Sequence, residues 1–125
     1  MDELTDEDPE THYWVLLYDE KPVGNVGLGR FGEPYRRFGL DPKDWALGYF
    51  QVQSAHRGKG QGRRLLEFAE GEARKRGVKT LWIDTTDRPD QATAYALYTK
   101  CGYELRLIRD LPEFGCKLRV LAKEL

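Results

Sequence analysis

Residues 57–64 read Arg57-Gly58-Lys59-Gly60-Gln61-Gly62-Arg63-Arg64 and stand between a strand-like run, Tyr49-Phe50-Gln51-Val52, and a long amphipathic pattern. Glycine at every second position permits dihedrals and close backbone approaches that other residues resist. The helix that follows opens with unpaired N–H groups and the positive end of its dipole. Arg57, Lys59, Arg63 and Arg64 add cations to the same stretch. A strand that passes through such a loop into a helix belongs in an α/β fold. It also makes a site for a polyanion, most naturally a pyrophosphate.

The helix is explicit in the pattern. Gly62, Leu65, Leu66, Ala69 and Ala73 share one face, while Arg63, Arg64, Glu67, Glu70, Arg74 and Lys75 take the other, and Gly77 ends it. Gly71 inside this helix is expected to mark a close contact. Ahead of the loop, Tyr13–Tyr18 and Val23–Gly29 read as a hairpin around Asp19-Glu20-Lys21-Pro22. Residues 30–44 carry Gly32, Pro34, Gly39 and Pro42 and read as a loop, and Trp45–Val52 is the next strand. Beyond the helix, Val78–Thr85 alternates, with Leu81, Ile83 and Thr85 on one face and Trp82 and Asp84 on the other. Pro89 and Asp90 open a second helix that Gly102 closes. Tyr103–Ile108 and Lys117–Ala122 are the last strands, joined around Pro112 and Gly115. The order β-β-β-α-β-α-β-β, with a parallel crossover from Trp45 to Thr85, predicts a mixed, mostly antiparallel sheet with helices packed on it.

A length of 125 residues suits one domain. We expect residues 1–12 to be a flexible acidic arm and 13–125 the folded unit. A net charge of −1 gives no global field toward nucleic acid or anionic lipid, so anion binding must come from the local cluster. Cys101 and Cys116 are too few for a zinc site and read as buried free thiols, with a disulfide between them as the alternative. No apolar run reaches membrane-spanning length, and the acidic start is unlike a signal peptide, which points to the cytoplasm.

Two phosphate-binding loops are poor matches. A Walker loop needs Ser or Thr after Gly-Lys, and here Gly60 follows Lys59. A dinucleotide fingerprint needs wider glycine spacing than 58, 60 and 62. The segment Arg57-x-x-Gly60-x-Gly62 resembles instead the Gln/Arg-x-x-Gly-x-Gly/Ala signature of the GNAT family of N-acetyltransferases. Val52 at the end of the preceding strand extends the resemblance upstream. Downstream, Ala94-x-x-x-Tyr98-x-x-x-Gly102-Tyr103 is similar to the family's Ala-x-x-x-Tyr-x-x-x-Gly-Phe, and Thr85-Thr86-Asp87-Arg88-Pro89 to the Thr-Ser-Ser-x-Pro link of one bacterial subgroup.

The resemblance implies an acetyl-CoA-dependent N-acetyltransferase that uses acetyl-CoA as cosubstrate and acetylates a primary amine of a small molecule or protein. It implies a bulged strand that splays from the next parallel strand, with backbone groups of Phe50, Gln51 and Val52 on pantetheine and on the acetyl carbonyl. Arg57, Gly58, Lys59, Gly60, Gln61, Gly62 and Arg63 fall at the pyrophosphate, and Gln91 falls at the pantetheine arm. Tyr98 falls at the general acid, and a phenol of ordinary pKa ~10 is protonated at neutral pH. Asp84 is the first candidate for general base and Asp87 the second. His56 reads as packing beside the loop, and Cys101 has no adjacent base to activate it.

Family members carry a further strand and two helices before the hairpin, covering the acceptor side, whereas this chain starts at the hairpin. That implies a minimal enzyme, a shortened gene product, or a protomer whose neighbour completes the acceptor wall in a homodimer, pairing through an exposed edge at Tyr13–Tyr18 with Trp14 and Leu16 on offer. A non-catalytic CoA-binding or regulatory module is the alternative. Neither nucleic acid nor a membrane is expected as a partner.

Overall fold

The computed structural model describes residues 2–4 through their backbone, and residues 11–53 and 56–125 in full. Among the described residues, seven strands form one sheet: β1 (Asp2–Leu4), β2 (His12–Tyr18), β3 (Lys21–Arg30), β4 (Trp45–Val52), β5 (Thr80–Thr86), β6 (Glu104–Leu111) and β7 (Cys116–Glu124). Helix α1 (Gln61–Lys75) links β4 to β5, and α2 (Ala92–Lys100) lies between β5 and β6. The sheet order is β1-β2-β3-β4-β5-β7-β6, antiparallel throughout except for the parallel pair β4–β5. This is the mixed α/β architecture that the hydrophobic periodicities require.

Both helices pack on one face. There Leu65, Leu66, Ala69 and Ala73 of α1 and Tyr98 of α2 meet Val26, Leu28, Leu47, Val52, Leu81 and Ile83 of the sheet. The opposite face is closed by the β3–β4 connection, in which Glu33–Phe38 forms a 3-10 helix. Phe31 and Leu40 are buried there with Ala46, Leu111, Leu118 and Val120, and Tyr35, Phe38 and Trp82 pack around them. The segment expected only as a loop is thus half of the molecule's second core.

Several expectations need correction. The arm expected over residues 1–12 includes a strand, because Asp2–Leu4 pairs antiparallel with Tyr13–Val15; residues 1 and 5–10 lie outside the described residues. The supposed free edge of β2 is therefore occupied at Tyr13–Val15. Trp14 is only 3% exposed, edge-on to Phe68, and Leu16 packs on the same core. The edge argument for a homodimer loses its ground. Gly71 meets nothing within 4 Å of an added Cβ, so no close contact explains it.

Cys101 and Cys116 are free, as expected, but half-buried, one packed on each core. Glu70, assigned to the solvated face of α1, is buried. It accepts a 2.8 Å hydrogen bond from the Tyr103 hydroxyl, and the Lys123 ammonium lies 3.1 Å away. A charge at that depth persists only when paired in this way.

Candidate active site

A β-bulge sets the geometry of the site. Gly27 pairs with Gly48 and Asn25 with Gln51, so Tyr49 and Phe50 stand opposite the single residue Val26. Tyr49 takes φ 52°, in the left-handed region, and the Asn25 side-chain amide donates to its carbonyl. The extra residue reverses the alternation of β4. Leu47, Phe50 and Val52 therefore reach one core although their numbers differ in parity.

Past the bulge the sheet opens. β4 pairs with β5 only at Ala46–Trp82 and Leu47–Ile83. β4 continues to Val52 on β3, while β5 continues to Thr86 on β7. From Gly48 onward the β5-facing edge of β4 has no strand partner among the described residues. A groove of about 1430 Å³ follows this opening, from Arg57, Gly58, Gly60, Gly62 and Arg63 at one end to Tyr35, Asp84 and Tyr98 at the other.

The loop supplies an anion site with the expected parts. Gly58 and Gly60 have φ of 77° and 78°, and a Cβ at either would meet nothing within 4 Å, so both are fixed by dihedral and face open space. Gly60 is the N-cap of α1, and among the described residues no side chain caps the helix. The first amides of α1 are left to a ligand. At Gly62, by contrast, a Cβ would lie 2.7 Å from Leu97 Cδ2 and 3.4 Å from Phe50 Cζ, so this glycine brings the start of α1 against α2 and β4. The Arg57 Nε–H donates to the Val52 carbonyl at 2.9 Å, which ties the loop to the end of β4.

Most of the residues expected at the site meet along the groove. Phe50, Gln51, Val52, Arg57, Gly58, Gly60, Gly62, Arg63, Asp84, Gln91 and Tyr98 line it; Lys59 and Gln61 do not. The Gln91 Oε1 accepts from the Thr85 hydroxyl and from the Thr86 amide and hydroxyl at 2.6–2.8 Å. Its carbonyl thus caps the end of β5, leaving the NH₂ group for the groove. Asp87 is committed elsewhere: its Oδ1 accepts from the Lys117 amide at 2.8 Å. His56 is half-buried and its amide donates to the Gln53 carbonyl at 2.8 Å.

Tyr98 is 5% exposed, held edge-on by Phe50 at 5.6 Å and by Tyr103 at 6.3 Å between ring centres. No hydrogen bond among the described residues engages its hydroxyl. Burial, reinforced by the negative charge of Asp84, raises its pKa well above the ordinary phenol value. Asp84 is half-buried, and burial raises its pKa against the lowering effect of a 3.1 Å hydrogen bond from the Tyr35 hydroxyl. An acid that stays protonated and a carboxylate more basic than usual therefore face one groove. Sequence reasoning missed Tyr35. Its signal is the apolar spacing Phe31, Tyr35, Phe38, Leu40 within the supposed loop.

The sequence model of the acetyltransferase (GNAT) family matches residues 1–103. The chain belongs to the GNAT acetyltransferase family. Over 58 residues it is 41% identical to the [Ribosomal protein bS18]-alanine N-acetyltransferase of Escherichia coli. That stretch covers 46% of this chain and 38% of the relative's length. An IAA acetyltransferase from Bacillus cereus superposes with a TM-score of 0.75 at 22% identity, over 93% of this chain and 79% of that one. A GNAT family acetyltransferase from Elizabethkingia anophelis with acetyl-CoA bound gives 0.75 at 18% identity, over 93% and 77%. At these identities the two structures speak for the fold.

Proposed function

We propose that the protein transfers the acetyl group of acetyl-CoA to a primary amine of a small molecule or protein by direct attack on the thioester. The observation that carries this reading is the continuous opening between β4 and β5. It joins the uncapped start of α1 to Tyr98 and Asp84. In this reading the pyrophosphate sits on the amides of residues 58–63, with Arg57 and Arg63 beside it. The pantetheine arm lies along the unpartnered edge of β4 within reach of the Gln91 amide. Backbone N–H groups after the bulge polarise the thioester carbonyl, as an oxyanion hole does.

The proton balance falls to two side chains. Asp84 accepts the proton that the arriving ammonium must lose before its nitrogen lone pair can attack. The C–N bond forms, the tetrahedral oxyanion collapses, and the C–S bond breaks. Tyr98 donates its proton to the departing thiolate and regains one as the amide nitrogen loses its second. The net products are the acetamide, CoA thiol and one proton released to solvent. The reading extends to a cytoplasmic protein that needs neither nucleic acid nor a membrane.

Thiol release from acetyl-CoA over a panel of amines tests the proposal. Amine-dependent release that falls in Tyr98→Phe supports it. CoA binding without release to any amine would return the chain to the non-catalytic module.

A further inference from the structure

The groove does not end at Asp84. Tyr35, Asp84, Thr86 and Gln91 also line a second pocket of about 380 Å³ on the face opposite the helices. From the chemistry of this pocket, and resting on the acetyltransferase reading above, we infer the acceptor class. It is a primary amine on a single uncharged apolar body, with its nitrogen at Asp84 and its body among Phe38, Leu111, Phe114 and Leu118.

Three observations select this class. Among the described residues Asp84 is the only acid lining the pocket, and it sits where the pocket meets the groove, so one cationic group is attracted to one end. The remaining walls are largely apolar and aromatic, and a volume of 380 Å³ is within the usual range for a small ligand, about 300–1,000 Å³. The two cations at the pocket are already balanced. Arg37 lies 2.6 Å from Glu113 and Arg88 lies 3.6 Å from Asp90. A carboxylate on the acceptor body would have to compete with Glu113 or Asp90 for these guanidiniums. A second ammonium would find no further acid among the lining residues. Amino acids and polyamines are therefore disfavoured, and simple aralkyl or branched alkyl amines favoured.

The test uses binding and turnover together. 2-Phenylethylamine is titrated calorimetrically into the CoA-loaded protein and its Phe114→Ala variant. Acetyl-CoA turnover is then compared for 2-phenylethylamine, phenylalanine, spermidine and a peptide with an N-terminal alanine. Phe114 is 67% exposed, so its truncation spares the fold. The expected result is about tenfold better kcat/KM for 2-phenylethylamine than for the other three. Its affinity should fall about fivefold or more in Phe114→Ala, with that for CoA unchanged. Binding that depends on Phe114 with turnover of none of the four amines upholds the pocket and overturns the acetyltransferase reading. Turnover that favours phenylalanine, spermidine or the peptide, or affinity indifferent to Phe114, overturns the acceptor class and leaves the enzyme.

Discussion

The Tyr35 hydroxyl donates a 3.1 Å hydrogen bond to Asp84 Oδ2, joining the 3-10 segment that covers one face of the sheet to the end of β5. The candidate base is therefore held by a residue from the β3–β4 connection, 49 positions away in the chain. Without that connection Asp84 would be a solvated strand-end carboxylate.

Asp84→Asn keeps a carbonyl to accept from Tyr35 but cannot take a proton. The expected loss in kcat/KM is about 10²–10⁴-fold. Wild-type kcat/KM should rise with pH through an acid limb above the ordinary Asp range, because burial raises this carboxyl, and the variant should lose that limb. The stability effect has the opposite sign. An acid with a raised folded pKa contributes most stability below its unfolded value and loses that contribution as pH rises through the folded one. At pH 7 the buried charge opposes folding, so thermal unfolding of Asp84→Asn should occur at the wild-type temperature or above it.

Tyr98→Phe removes a hydroxyl that bonds to no described residue and leaves the ring contacts with Phe50 and Tyr103 in place. The expected kcat is lower by about 10²-fold, with stability nearly unchanged. Affinity for acetyl-CoA, measured by titration, should stay within about twofold. Equal loss of affinity and turnover would assign Tyr98 to packing.

The β2–β3 turn holds Asp19 at φ 49° and Glu20 at φ 63°; Asp accommodates this left-handed conformation, whereas Glu disfavours it. Glu20→Gly removes that penalty. Chemical denaturation should show a gain of about 1 kcal/mol, with activity unchanged.

Glu70→Ala strips the Tyr103 hydroxyl and the Lys123 ammonium of their partner beneath α1. A loss of about 2 kcal/mol in unfolding free energy is expected. Glu70→Gln, which still accepts from Tyr103, should lose less.

What the sequence made legible follows local rules. The period of α1, the alternation of β5 and the glycine spacing each need only neighbours a few residues apart, and they placed Asp84 and Tyr98 correctly on their elements. Two kinds of feature were hidden. Tyr35 and Glu70 acquire their partners, Asp84 and Lys123, across 49 and 53 residues, so local pattern leaves Tyr35 in a loop and Glu70 on a solvated face. The pairing of β1 with β2 was likewise unreadable, because Asp2-Glu3-Leu4 has no strand composition and takes its order from the edge it covers.

The most direct measurement is a calorimetric titration of the protein with acetyl-CoA, repeated on Gly60→Ala. Gly60 sits at φ 78° as the N-cap of α1, and an added Cβ there meets nothing, so the substitution disturbs the loop's dihedral without creating a clash. The expected result is saturable one-to-one binding that weakens about tenfold or more in the variant. No heat of binding for the wild type, or equal affinity in the two proteins, would contradict the central claim that this loop holds the CoA pyrophosphate.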